Sequence, residues 1–173
     1  MEHFTLPPLV AKIANGEVTW QRLEGLDYET VGLFLTCHLI IEHYIDEYLK
    51  ISYPDLDWDT ARNSFAQKLS LLSRFKISDQ YDCIPAIRHL NSIRNKLSHD
   101  IDFKITADNL LPLTQYLSKA CGDKKEPMIP NESKGLLLMF TSLTCVIFAS
   151  QISTKANYEA KGIFVRPKRH HSK

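Results

Sequence analysis

Apolar residues recur every two to four positions along most of the chain, and short polar stretches rich in Gly, Pro, Asn and Asp interrupt them. That periodicity predicts a series of helices. From Tyr28 to Lys50 the repeating set is Val31, Leu35, Leu39, Ile41, Ile45 and Leu49, with Asp27 placed to cap the start and Pro54 barring continuation. A second helix is expected over Thr60–Arg74, capped by Asp57 or Asp59, with Phe65, Leu69, Leu72 and Phe75 as its apolar stripe. Ser78 is read as the cap of a third, with Asp79 in its first turn and Pro85 as an early disturbance. Its face of Ile84, Ile87, Leu90, Ile93 and Leu97 runs on towards His99. Thr106 caps a fourth helix, Ala107–Ala120, which Gly122 ends, and a fifth is expected from Ser133 to Thr154. The short segment Leu9–Asn15 reads as a helix stopped by Asn15-Gly16. Strand signals are confined to Phe103-Lys104-Ile105 and Ile163-Phe164-Val165. The expected fold is an all-α antiparallel bundle of four to five main helices. It forms one domain over residues 1–173, with a core at about 27–154 and a basic, flexible tail at 162–173.

Composition changes this picture little. With 173 residues, 44% apolar and 24% charged, the chain has the profile of a soluble globular domain. A net charge of +1 supplies no global field for nucleic acid, so any RNA contact has to come from a local patch. Cys37, Cys83, Cys121 and Cys145 form no C-x-x-C pair and sit among apolar neighbours, as expected of buried thiols in a reducing cytoplasm. The N-terminus lacks a basic stretch followed by an apolar one, so no signal peptide is read. Gly135–Thr154 carries no charge and is long enough to span a bilayer of ~30 Å, but Thr and Ser are scattered throughout it. It is read as a core helix covered on most sides, so no membrane partner is expected.

Candidate chemistry concentrates in Arg94-Asn95-Lys96-Leu97-Ser98-His99, at the end of the third helix. Metal-free RNA cleavage needs proton transfer at the ribose 2′-hydroxyl and the leaving oxygen, and charge stabilisation on the phosphoryl oxygens. Histidine titrates near neutrality, and the arginine fork holds phosphate without deprotonating. A five-residue separation is about 500° of helix rotation, which leaves Arg94 and His99 roughly 140° apart on an ideal helix. They converge only if the helix ends near His99 or if they serve two sides of one pocket. The spacing is also cheap, because Arg166 and His171 repeat it in the tail. Basic residues in a last helical turn have a plainer use as well, complementing the helix dipole and capping free carbonyls.

The stretch Ile87–Asp100 resembles the helix of HEPN domains that carries an arginine-x4–6-histidine motif, with a polar residue, here Asn95, after the arginine. The overall layout also resembles the mannitol-operon repressor family. The HEPN resemblance implies a metal-independent endoribonuclease, a toxin or defence effector, working as a homodimer without cofactor or metal. In it Arg94 holds the scissile phosphate, His99 is the general acid or base, and Asn95 orients one or the other. RNA is then the substrate, and an antitoxin or regulatory protein a further partner. In many relatives a tyrosine stands two residues after the histidine and is modified by the antitoxin; Ile101 stands there in this chain, which argues against that route. The repressor resemblance implies the alternative, a non-catalytic regulatory or binding module.

Other candidates are weaker. His38 and Glu42 share a helical face at i, i+4 beside His43, and are read as surface or dimer-interface residues, lacking a third metal ligand. Glu42 or Glu47 is a candidate to reach into the catalytic cleft. Lys124, Lys125 and the tail cations Arg166, Lys168, Arg169 and Lys173 are read as solvated, and Trp20 and Trp58 as packing anchors.

Overall fold

The computed structural model describes residues 9–21, 26–58, 60–72, 75, 78–100, 102–122 and 129–160. Two strands, β1 (Leu9–Ala14) and β2 (Glu17–Gln21), precede five helices: α1 (Tyr28–Ser52), α2 (Phe65–Leu71), α3 (Ile84–His99), α4 (Ala107–Cys121) and α5 (Ser133–Ala160). The all-α helical bundle is the architecture observed, with one small hairpin added.

That hairpin corrects the expected first helix. Asn15 and Gly16 both take positive φ (53° and 81°), the backbone of a tight turn joining antiparallel strands rather than a helix stop. Val10 pairs with Trp20 and Ile13 with Val18, so four apolar side chains share one face, and all four are exposed. Trp20, expected as a packing anchor, is 60% exposed. Trp58 does pack: it is half-buried, and its Nε1 donates to the Tyr53 carbonyl at 3.0 Å.

Helix boundaries follow local chemistry. Asp27 accepts from the Thr30 amide at 3.0 Å and starts α1, as expected. The second helix is much shorter than expected, because Ser64 and Gln67 form a reciprocal capping box that fixes the start at Phe65. The Asp57 side chain instead holds a turn at Thr60. The third begins at Ile84 rather than near Ser78, since Pro85 has no amide hydrogen and is accommodated only in a first turn. Thr106 and Asn109 form a second capping box, and Gly122 ends α4 at φ 65°. Phe103-Lys104-Ile105 forms no strand, and Phe103 and Ile105 lean against the core. Ile163-Phe164-Val165 and the tail lie outside the described residues.

The core is built on α1, which buries Phe34, Cys37, His38, Ile41, Ile45 and Leu49 along one stripe. The most extensive packing is of α5 against α1, while α3 and α4 close the sides. Phe75 stacks on Phe148 with ring centres 4.5 Å apart, and Tyr48 sits edge-on to both. Six residues longer than expected, α5 is apolar and long enough over Ser133–Tyr158 to cross a membrane by length and composition alone. Leu137, Phe140, Thr144 and Phe148 are fully buried, whereas Leu138 and Val146 are 46% and 64% exposed. The helix is therefore two-faced rather than covered on most sides. All four cysteines are free; Cys37 and Cys83 are buried, and Cys121 and Cys145 half-buried. Burial pushes the Cys83 thiol up to about 12.

Candidate functional site

The last two turns of α3 set the candidate residues. Ile87, Leu90 and Ile93 lock one side of the helix into the core, which turns Arg94 and Asn95 out to solvent. The Arg94 guanidinium makes one long hydrogen bond among the described residues, from Nη1 to Asn95 Oδ1 at 3.5 Å, so its fork is otherwise open. The helix ends at His99, and Asp100 is already extended, with φ −137° and ψ 105°. Of the last four carbonyls, that of Lys96 is met locally by the Asp100 amide at 2.9 Å. Ser98 Oγ donates to the Arg94 carbonyl within the helix at 3.0 Å. Lys96 lies over the Phe103 ring at 5.6 Å.

Arg94 and Asn95 line an open groove of about 520 Å³. Asn91 continues the same wall of α3; Leu35, His38, Leu39 and Glu42 of α1 form the opposite wall, and the stretch from Asn63 to Ala66 closes one end. Two of the three expected site residues therefore sit together. His99 lines neither this groove nor a second cavity of about 430 Å³ between the start of α1 and the residues after α3. It is exposed and stands four residues beyond Asn95, so it continues the Asn95 row of α3 one turn further on.

The expectation that His38 is a surface residue is overturned. It is only 4% exposed, because it follows Cys37 within the buried stripe of α1. Its ring packs on Phe65, with centres 4.3 Å apart. Nδ1 faces Glu42 Oε2 at 4.0 Å, and Nε2 has no hydrogen-bond partner. Burial holds the imidazole below its ordinary value of 6.5. Asn91 and the Glu42 charge work the other way, while Arg94 and Lys68 add to the depression. The clue available in the sequence was the spacing Phe34, Cys37, His38, Ile41, which places His38 on the apolar side.

Glu42 does reach the groove, as one of the two glutamates considered for it. It is held from below by Lys68 of α2, whose Nζ donates to Glu42 Oε1 at 2.7 Å and to Asp46 at 2.8 Å. Burial opposes the Lys68 charge, but Asp46 and Glu42 outweigh it and raise the ammonium above its ordinary value. Glu47 instead pairs with Lys50 at 2.8 Å, away from the groove. Among the described residues no group of three or more His, Cys, Asp or Glu stands close enough to hold a metal. Lys124, Lys125 and the tail cations lie outside the described residues.

Chemically, the groove combines an open arginine fork, the three carboxamides of Asn63, Asn91 and Asn95, a neutral imidazole and a pinned carboxylate, with apolar lips at Leu35 and Leu39. Such a set can bind an anion that carries a hydroxyl group. No protein-family model, curated protein or solved structure matches the chain.

Proposed function

We propose that the chain is a HEPN-type, metal-independent endoribonuclease, a toxin or defence effector, whose groove between α1 and α3 holds the RNA phosphate. The observation carrying this reading is the side-by-side exposure of Arg94 and Asn95 in that groove, with the Arg94 fork free to make paired bonds to phosphate. Arg94 stabilises charge on the phosphoryl oxygens, Asn95 orients the phosphate, and His99 transfers a proton from the row next to it. The products are a 2′,3′-cyclic phosphate and a 5′-hydroxyl.

A homodimer belongs to the same reading. Leu35 and Leu39 are 37% and 64% exposed on the lip of the groove, where water gains nothing from them. Pairing two copies across these lips buries them and brings two Arg94 side chains to one cleft. Leu39→Arg is expected to shift the protein towards monomer in sedimentation and to lower cleavage with it.

The deciding assay is cleavage of single-stranded and transfer RNA in excess chelator, comparing native protein with Arg94→Ala and His99→Ala. Native protein is expected to cut and both variants to fall at least about 100-fold. Intact RNA under every condition, or variants that cut like native, overturns the reading. A second reading, a non-catalytic binding module, is favoured by the uncovered hairpin face of Val10, Ile13, Val18 and Trp20, which suits a protein partner.

A further inference from the structure

In-line attack on a phosphodiester places the entering and leaving oxygens on opposite sides of phosphorus, so one side chain serves both poorly. His99 stands at one end of the Arg94–Asn95 wall and lies outside the groove itself. The groove's own imidazole is His38, on the facing helix; its buried Nε2 makes no hydrogen bond of good geometry, and the Asn91 side chain interacts with the ring more loosely. A buried polar atom without a well-made bond is destabilising, and a ligand that completes the bond removes that penalty.

The geometry of α1 fixes which form the imidazole takes. The Glu42 carboxylate can only accept and lies 4.0 Å from Nδ1, beyond hydrogen-bond distance, so its charge favours the tautomer with the ring hydrogen on Nδ1. Lys68 prevents Glu42 from swinging away, through its 2.7 Å bond and a second bond to Asp46. Nε2 is left as a lone pair. The charged groups facing the ring are Glu42 on its own helix, Lys68 from α2 and Arg94 from α3. Burial disfavours an imidazolium; the Asn91 side chain and the Glu42 charge oppose that, the two cations add to it, and the net effect holds the ring towards its neutral form.

We infer that His38 is the general base of the groove, taking the ribose 2′-hydroxyl proton on Nε2 while Glu42 positions the ring and His99 supplies the proton to the leaving oxygen. This inference rests on the ribonuclease reading. As the proton moves to Nε2, the O2′–P bond forms and the P–O5′ bond breaks. The 5′ oxygen takes a proton from the His99 imidazolium, leaving a cyclic phosphate and a hydroxyl. The two histidines end with exchanged protonation states, and water or buffer resets them. Nε2 is covered in the free protein, so the proposed step requires the groove wall lined by Phe65 and Asn91 to give way to the hydroxyl.

The test uses the full chain in chelator. Single-turnover RNA cleavage by native protein is followed against pH, with His38→Gln and Glu42→Gln alongside. The expected loss is about 100-fold or more for His38→Gln, with disappearance of the acidic limb of the rate profile, and a smaller loss with a displaced limb for Glu42→Gln. If native protein does not cut, the ribonuclease reading fails. If native protein cuts and folded His38→Gln keeps both rate and limb, only the role of His38 fails. Because His38 is buried, native protein labelled with 15N-histidine provides an independent measurement. Uridine 3′-monophosphate is expected to shift the His38 Nε2 resonance and its 2′-deoxy analogue not to do so. Equal response to both, or none at saturation, overturns the assignment.

Discussion

Replacing Lys68 with Met tests whether the polar cluster behind the groove is held as described. Met keeps most of the buried stem and removes the ammonium, which stands 2.7 Å from Glu42 and 2.8 Å from Asp46. A hydrogen bond to a charged group contributes about 1.5–3 kcal/mol when well buried. The Lys68 side chain is 14% exposed, but the Glu42 and Asp46 side chains are 25% and 31% exposed, so solvent screens part of each contact. We therefore expect a net loss of about 2–3 kcal/mol at pH 7 for the two contacts together. In a chain of 173 residues that lowers Tm by roughly 5–10 °C. Salt screens the native attraction and the repulsion left in the variant, so the two proteins converge as ionic strength rises. Urea unfolding of both proteins at pH 7 in low and in high salt reads the difference. A deficit below about 0.5 kcal/mol in low salt, or the same deficit at both salt levels, refutes the cluster as an electrostatic pin.

His38, with its value depressed below 6.5 in the fold, should make native protein lose stability as pH drops below about 6.5. In that window the unfolded chain binds a proton that the folded chain does not, so unfolding is favoured. His38→Leu removes this component, and equal pH slopes for native and variant between pH 7.5 and 5.5 contradict the buried neutral ring. Phe148→Ala opens a hole beside Tyr48 and Phe75 and should cost about 3–5 kcal/mol in urea unfolding; a loss below about 1 kcal/mol means that α5 does not pack on α1 as described.

The parts of the fold that could be read from sequence are those set by neighbours in the chain. Asp27, Thr106 and Gly122 mark helix ends because a cap acts within one turn, and the ends of α1 and α4 fall close to where they are expected. The hairpin is not legible in the sequence because Leu9, Val10 and Ile13 fit a helical spacing, and Asn15-Gly16 serves equally as helix stop or strand turn. Which one forms depends on cross-strand pairs such as Val10 with Trp20, and those join residues ten apart. For α2, Asp57 and Ser64 compete as caps, and the reciprocal bond from Gln67 decides for Ser64. The candidate site divides in the same way. Arg94 and Asn95 were legible as residues ending a buried helix. Their company was not, since His38, Glu42 and Lys68 are brought to α3 only by the packing of α1, α2 and α3.

If Arg94 holds a phosphate on which a ribose hydroxyl attacks without metal, the RNA ends produced by native protein in chelator carry the signature, with Arg94→Ala as the control. Fragments ending in 2′,3′-cyclic phosphate and beginning with 5′-hydroxyl are expected, formed about 100–1000-fold more slowly by the variant. Fragments with 5′-phosphate, or cyclic ends formed equally fast by Arg94→Ala, would contradict that role of Arg94.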